Sequence, residues 1–322
     1  MSKTLSAFVL GFFVFFPLSA PAAELVYWSP QAVEHPSTLA LKGFVARLQN
    51  VDTSFDSARL LSQKDGGSQS QLIKAVQQGA IGVAVMNAGT VERVAAEARV
   101  LALPFLFRDS RQLFAQLDGQ VGQSIEQTLA AKGLILLGWF DGGSRSFYMR
   151  DKPQSIADFQ AAKVRIPNRT DLKSLVSTLG GTPTPLAYDQ VNAALDDGSI
   201  DGAENDMLSY EADQHYKHAR YFVTNSHFVQ FEALVVSAEV WKRLPDDARS
   251  ALQAAGRSAA QADREMWTKR VQQARARLEK EGVKFVEAPG NVVNSRVATL
   301  YKPYLDNPAT SALLVRLMTS RS

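Results

Sequence analysis

The chain has 322 residues, of which 46% are hydrophobic, 35 are basic, 32 are acidic and none is cysteine. This length is enough for two domains, and the nearly balanced charge, without a basic tract, argues against binding to nucleic acid. The lack of cysteine excludes disulfides, thiol catalysis and cysteine metal sites.

The first 23 residues are typical of a secretory signal peptide. Lys3 is their only charged residue, residues 5–16 form a short apolar run, and small residues follow. An apolar run of this length is too short to span a bilayer. We therefore expect export with cleavage after Ala22 or Ala23, and the alternative is an uncleaved anchor.

The remaining chain alternates between predicted strands and helices. Apolar runs and helical periodicity predict the following elements, in chain order: a strand at 24–28, a helix around 39–48, strands at 55–61 and 81–86, a strand at 134–140 followed by a turn at 142–146, a strand at 233–237, a helix at 245–281, a strand at 284–286 and a terminal helix after Pro308. The helix at 245–281, capped by Asp246, would reach about 50 Å, which is longer than one small domain.

Residues 163–205 have a β-α-β-α-β pattern around which the rest of the chain is organised. A short apolar strand ends at Pro167, a helix ends at Gly180, and an extended segment leads to a second short helix that Asp189 can cap. The pattern closes with a strand that leads into Asn205. Because open α/β sheets bind ligands at the ends of their strands, Arg165 and Asn205 are expected to converge on one crevice.

Arg165 is the strongest candidate for a binding residue. It lies between Val164 and Ile166 and is followed closely by Pro167, so it should be held at a fixed position. A planar guanidinium is suited to holding a carboxylate through two parallel hydrogen bonds. The alternative is a surface arginine in an ordinary ion pair.

Three linked motifs in this region carry a resemblance to a known family. They are KVRIP at 163–167, LGGTPTP at 179–185 and DGAEN at 201–205. They closely resemble the motifs of the DctP-like solute-binding proteins of tripartite ATP-independent periplasmic (TRAP) transporters. The likeness extends over roughly residues 25 to 305.

The resemblance implies a two-lobed α/β periplasmic-binding-protein fold, type II-like, with a long helix that spans both lobes. It also implies where the chain crosses between the lobes. After the signal peptide at 1–23, the first lobe would comprise residues 24–143 plus 232–271. The second lobe would comprise residues 144–231 plus 272–322.

By the same resemblance, Arg165 would pair with the carboxylate of the ligand and Asn205 would bind the carboxylate or a neighbouring hydroxyl. Arg145 matches the second cation of the sialic-acid-binding relatives, and an ion pair between the lobes is the alternative for it. Tyr188 would face the ligand, or else pack in the core beside Leu186.

Asn168 and Asn87 complete the expected set. Asn168 follows the RIP turn and is expected both to cap the next helix and to contact the ligand. Asn87 follows a buried strand and stands where sialic-acid binders have a glutamate. This difference argues against sialic acid as the ligand.

The resemblance implies a non-enzymatic periplasmic protein that captures a small organic acid by closing two lobes around it. A sugar acid such as a uronate is favoured and a C4-dicarboxylate comes next. The ligand would pass to the small and large membrane subunits of a TRAP transporter, without cofactor or metal. The alternatives are a ligand-presenting partner of a membrane sensor kinase and a periplasmic enzyme acting on a similar acid.

Overall fold

The computed structural model describes residues 25–50, 55, 57–61, 65, 67–153, 159, 161–287 and 295–319. The predicted signal peptide lies outside these residues. Within them, no helix combines the length and the apolar character needed to cross a membrane.

The described chain alternates between strands and helices from its first element. The strands are β1 (Leu25–Trp28), β2 (Ala58–Leu61), β3 (Val83–Asn87), β4 (Leu134–Met149), β5 (Lys163–Ile166), β6 (Thr182–Pro185), β7 (Gly202–Asp206), β8 (Tyr221–Ser237) and β9 (Lys284–Glu287). The helices are α1 (Pro36–Gln49), α2 (Gln69–Gln77), α3 (Ala88–Val94), α4 (Ser110–Leu117), α5 (Gln120–Ala131), α6 (Thr170–Thr178), α7 (Val191–Asp196), α8 (Met207–Ala212), α9 (Ala238–Arg243), α10 (Asp246–Lys280), α11 (Ser295–Ala298), α12 (Lys302–Leu305) and α13 (Pro308–Thr319).

One sheet runs through both halves of the described chain. Its strand order is β2-β1-β3-β8-β4-β7-β5-β6, with β9 paired to β8. The two long central strands, β4 and β8, are antiparallel to each other. The strands β2, β1 and β3 lie on one side of this pair, and β7, β5 and β6 lie on the other. Both halves of the fold therefore share the same two central strands.

The long strands differ from the shorter ones predicted. The predicted strand at 134–140 and turn at 142–146 belong to a single strand, β4, and the segment at 221–227 joins the strand at 233–237 in β8. The glycines at 142 and 143 do not end β4, because β8 pairs with β4 on both sides of them. The pairing continues through register shifts, such as the one between Asp141 and Ser144. Gly143 adopts a positive φ of 80° within this region.

The organising stretch folds as predicted, into β5, α6, β6, α7 and β7 in order. Gly180 and Gly198 adopt positive φ angles after the two helices, as residues beyond helix ends commonly do. The side chains of Val164 and Ile166 are fully buried. This part of the fold therefore places the tip of β5 between β7 and β6.

Two predicted helix caps in this stretch are wrong. Asn168 is exposed and does not cap α6. The N-cap position is occupied by Arg169, one residue later. The Arg169 N–H donates to the Pro167 carbonyl at 2.7 Å, and this turn delays the start of the helix. Asp189 lies inside a 3₁₀ turn, Tyr188–Gln190, and α7 begins only after it. The chain needs this turn to change direction between β6 and α7.

The helix α10 is one continuous element of 35 residues, close to the predicted 245–281. Pro245 takes the N-cap position, and Asp246 lies in the first turn instead of capping it. Residues 248–260 of the helix join a hydrophobic cluster with β1, α1 and β3. Ala274 and Leu278 join a different cluster, with α7 and Tyr210. The expectation of a helix that spans both halves is therefore confirmed.

The C-terminal helices return to the first half of the chain. The Tyr301 hydroxyl donates to the Pro104 carbonyl at 2.7 Å, and Leu314 and Leu317 of α13 share a hydrophobic cluster with Val100 and Leu101. The predicted division of the chain into two lobes, which assigned residues 272–322 to the second, stays a prediction.

Candidate functional site

The strand β5 holds Arg165 in a buried position. Its side chain is 3% exposed, because the neighbouring strands β6 and β7 cover both sides of β5. Its Nε and Nη2 atoms both donate to the Leu186 carbonyl, at 3.1 and 2.8 Å. The guanidinium is thus fixed by the chain segment that follows β6.

The charge of Arg165 is not balanced by an ion pair among the described residues, although Glu204, which pairs with Arg145, lies close enough to interact with it. Among the described residues no carboxylate lies within ion-pair distance of it, and its Nη1 makes no hydrogen bond. Burial lowers the pKa of Arg165 from its ordinary value. A buried cation without a partner is costly, so this group is suited to receiving an anion from outside the chain.

Two other predicted residues lie beside Arg165. The Tyr188 ring has its centroid 5.6 Å from the Arg165 Cζ atom, and the Asn205 Nδ2 donates to the Tyr188 hydroxyl at 3.5 Å. Tyr188 is 44% exposed, so it does not pack in the core beside Leu186, and its hydroxyl donates to Asp213. Burial of the hydroxyl and the bond to Asp213 raise the pKa of Tyr188. Arg165, Tyr188 and Asn205 therefore form one cluster.

Arg145 instead belongs to a buried ion pair. Its Nε and Nη2 bind the two carboxylate oxygens of Glu204 at 2.6 and 2.8 Å, and His227 Nε2 lies 3.4 Å from the same carboxylate. Burial tends to raise the pKa of Glu204, but the charge and hydrogen bonds of Arg145, with that of His227, outweigh it and hold the pKa at about 2. Burial also lowers the pKa of His227. Glu204 therefore already balances the charge of Arg145. The predicted contact between Arg145 and a ligand stays a prediction.

A cavity of about 1060 Å³ opens beside the central strands, between α3 and α6. Side chains from both halves of the chain line it. They include Gln31, Gln69, Asn87, Glu92, Arg93 and Arg99 from the first half, and Arg169, Asp171, Ser174, Gln230, Glu232 and Tyr304 from the rest. A volume of this size accommodates a small polar ligand with room for water.

Six binding residues were predicted from the sequence. Of these, Asn87 alone is among the described residues that line this cavity. Its Oδ1 accepts from the Thr90 N–H at 3.0 Å and from the Thr90 hydroxyl at 2.9 Å, and so caps α3. The hydrogen bonds described for this side chain all use its oxygen, and none uses its amide nitrogen. Asn168, by contrast, is exposed and is not part of the cavity wall as described.

Sequence reasoning missed Gln31 and Glu232, which both line the cavity. The Gln31 Nε2 donates to the Glu232 Oε1 at 2.6 Å. Glu232 is 2% exposed, and this burial raises the pKa of its carboxyl group. The signal for it was present in the sequence, because it interrupts the otherwise apolar run from Phe231 to Val236.

A model of the bacterial extracellular solute-binding proteins, family 7, named DctP, matches residues 32–306. The chain belongs to this family. The predicted resemblance to the TRAP solute-binding proteins is thereby confirmed, and the family acts outside the cytoplasmic membrane.

Solved structures of TRAP periplasmic solute-binding proteins share the fold. A protein from Chromohalobacter salexigens with bound D-glucuronate is 28% identical, with a TM-score of 0.82 and coverage of 92% of this chain and 100% of its own. One from Roseobacter denitrificans with bound β-D-glucuronate is 30% identical, with a TM-score of 0.79 and coverage of 93% and 100%. One from Xanthobacter autotrophicus Py2 with bound β-D-galacturonate is 27% identical, with a TM-score of 0.78 and coverage of 92% and 99%.

These likenesses confirm the two-lobed α/β fold predicted from the sequence. They cover nearly the whole of both chains, so the DctP-family fold extends well beyond the three motifs in residues 163–205. The individual binding residues are not addressed by them.

Proposed function

We propose that this DctP-family protein captures a hexuronate in the periplasm and delivers it to the small and large membrane subunits of a TRAP transporter. The observation that carries the proposal is Arg165, a buried guanidinium with no acidic partner among the described residues. The hexuronates bound by the three similar structures supply the class of ligand. Export through the segment at 1–23 is part of the proposal.

The guanidinium of Arg165 is oriented for this task. Its Nε and Nη2 are anchored on the Leu186 carbonyl, so the edge formed by Nη1 and Nη2 is left for the two oxygens of a carboxylate. Asn205 and Tyr188 lie beside the guanidinium: the second proton of the Asn205 amide nitrogen can be donated to the carboxylate, and the Tyr188 oxygen, whose proton goes to Asp213, can accept from a ligand hydroxyl. The pair formed by Arg145 and Glu204 adds no net charge to the site.

Capture requires the two halves of the fold to approach each other. Asn87 lies on the half opposite Arg165, on a wall of the cavity, and would complete the set of contacts on closure. Closure excludes water, and a charge-assisted bidentate pair is then worth more than an ordinary hydrogen bond. No bond in the ligand is made or broken in this mechanism.

Calorimetric titration of the purified protein tests the proposal. We expect D-glucuronate or D-galacturonate to bind more tightly than succinate or malate, and Arg165→Ala to weaken the binding by about 100-fold, or roughly 3 kcal/mol. Arg165→Lys should also bind weakly, because an ammonium cannot reproduce the planar fork. Arg111→Ala removes an arginine whose side chain is 94% exposed and serves as the control.

Two results would contradict the proposal. The first is tighter binding of the dicarboxylates than of either hexuronate, which would change the ligand class. The second is unchanged hexuronate affinity in Arg165→Ala, which would remove this residue as the carboxylate site while leaving the ligand class intact.

A further inference from the structure

The hydroxyl of Tyr188 has its proton committed to Asp213. It donates to the Asp213 Oδ2 atom, and the Asn205 Nδ2 approaches the same oxygen at 3.5 Å. A phenol hydroxyl has one proton to donate and can also accept. With that proton given to a carboxylate, the Tyr188 oxygen can act towards a further group only as an acceptor. The side chain of Asp213 therefore decides which hydrogen-bonding role Tyr188 offers.

Asp213 is held in place through its backbone. Its N–H donates to the Ser209 carbonyl at 3.1 Å, at the end of α8, and its own carbonyl accepts from the Asn192 Nδ2 in α7 at 2.8 Å. Neither contact uses the carboxylate. A change of the Asp213 side chain can therefore leave both contacts in place.

Tyr188 also lies beside the group to which the proposed function assigns the ligand carboxylate. Its ring centroid is 5.6 Å from the Arg165 Cζ atom. The ring is not sealed in the core, since the residue is 44% exposed. A ligand whose carboxylate is held by Arg165 therefore has its neighbouring groups close to Tyr188.

In the ring form of a hexuronate, the hydroxyl on C4 is the one nearest to the carboxylate. The carboxylate is attached to C5, whose other neighbours in the ring are the ring oxygen and C4. The ring oxygen has no proton to donate. The C4 hydroxyl is therefore the group beside the carboxylate that can donate a hydrogen bond to an acceptor of the protein.

We propose that Asp213 is a positioning residue that fixes Tyr188 as the hydrogen-bond acceptor for the C4 hydroxyl of a hexuronate. The two residues then select hexuronates over acids that lack this hydroxyl, because an acceptor left without its donor costs free energy. This inference rests on the proposed function, since it takes the carboxylate of the ligand to be held by Arg165. It adds to that function the part of the sugar that is recognised next to the carboxylate.

The test compares D-glucuronate with 4-deoxy-D-glucuronate, which lacks only the C4 hydroxyl. The same compound is the 4-deoxy form of D-galacturonate, so either hexuronate can serve as the reference. In calorimetric titrations we expect the wild-type protein to bind the reference about tenfold more tightly than the deoxy acid. Tyr188→Phe keeps the ring and removes the oxygen, so the two affinities should become nearly equal in this variant.

Asp213→Ala tests the positioning role through the same ratio of affinities. Loss of a negative charge near the site changes the attraction of any anion, but both ligands carry one carboxylate, so this effect cancels in the ratio. We expect the ratio to fall by about threefold or more. Asp213→Ala combined with Tyr188→Phe should give the ratio of Tyr188→Phe alone. A merely structural loss would weaken both ligands together and leave the ratio unchanged.

Asp196→Ala is the matched control, because Asp196 is an acid of α7 whose side chain is 75% exposed and lies 3.3 Å from the His218 Nδ1. Its ratio should equal that of the wild type. Equal binding of the two acids by the wild type overturns the inference and leaves the proposed function standing, as does a wild-type ratio in Tyr188→Phe or Asp213→Ala. A wild type that binds neither hexuronate refutes the proposed function, and the inference falls with it.

A second variant keeps the test decisive if Asp213→Ala does not fold. Asp213→Leu has a branched side chain with no atom that can accept the Tyr188 proton. We expect its ratio to fall by about threefold or more, as in Asp213→Ala. A wild-type ratio in a folded Asp213→Leu protein also overturns the inference.

Discussion

Single residues in this protein differ in how their buried charges are balanced. Arg145 and Glu204 neutralise each other through two short hydrogen bonds. Arg165 is also buried, yet no carboxylate among the described residues forms an ion pair with it. Since an unpaired buried charge is costly for folding, the pair of Arg145 and Glu204 contributes to structure, whereas the guanidinium of Arg165 is available for binding.

Asp263 of α10 is a buried acidic residue of another kind, because it keeps its proton. Its Oδ2 accepts from the Asp141 N–H at 2.6 Å. Burial, with the negative charges of Glu232 and Asp141, raises its pKa from 3.8 to about 9. The unfolded chain releases this proton above pH 4, but the folded chain retains it up to about pH 9. Stability from this group is therefore full below pH 4 and declines as pH rises towards 9.

We predict that Asp263→Asn removes this decline. The amide keeps an acceptor oxygen for the Asp141 N–H but does not ionise. Between pH 6.5 and 8.5, the wild type should lose roughly 1 to 3 kcal/mol more of its free energy of unfolding than the variant does. Urea unfolding at several pH values measures this, with Asp306→Asn, an exposed change, as the control. Parallel pH profiles for the wild type and Asp263→Asn would show that Asp263 does not titrate in this way.

At the scale of elements, α10 is held close to β4 by small residues. A Cβ on Gly256 would lie 2.6 Å from the Leu137 carbonyl oxygen and 2.7 Å from its Cβ. A Cβ on Gly138 would lie 2.9 Å from the Ala260 Cβ. The helix and the strand therefore touch through their backbones, which is how one helix packs on the sheet and still reaches both halves.

We predict that Gly256→Ala destabilises the protein even though alanine is the better helix former. The clash with Leu137 should outweigh the gain of up to about 1 kcal/mol in helix propensity and leave a net loss of roughly 1 to 3 kcal/mol. The matched control is Gly43→Ala in α1, where a Cβ meets no atom within 4 Å and should stabilise the protein. Thermal unfolding of both variants measures the difference. Equal stabilisation by the two changes would refute the close contact.

At the scale of the whole molecule, the two halves are joined by continuous elements. The strand β8 pairs with β3 at one end and with β9 at the other, and β4, which pairs along β8, also pairs with β7 at the end near β9. One register shift in β4, between Asp141 and Ser144, lies between these ends, beside Gly143. Bulges and glycine bend a strand without breaking its pairing, so the halves can change their relative angle about this region.

We predict that a bound hexuronate closes the molecule. Small-angle scattering should give a smaller radius of gyration at saturating D-glucuronate than without ligand, because the two halves approach each other. Arg165→Ala at the same ligand concentration should keep the larger value. Calorimetric binding in the wild type without any change in the radius of gyration would contradict closure about β4 and β8.

The sequence by itself determined the features that depend on neighbouring residues. The apolar spacing in residues 163–205 and the glycines at 180 and 198 predicted β5, α6, β6, α7 and β7, because helix and strand periods and helix ends are local properties. The same reasoning predicted a fixed position for Arg165 between Val164 and Ile166, and the length of α10.

Only the tertiary structure decided which charges are balanced and which strands continue. Glu204 reaches Arg145 from 59 positions along the chain, and Gln31 reaches Glu232 from 201 positions away. The glycines near Gly143 look like a turn until β8 pairs across them. Such pairings depend on how distant segments pack together, and local patterns in one sequence carry no information about the partner that a residue meets in the fold.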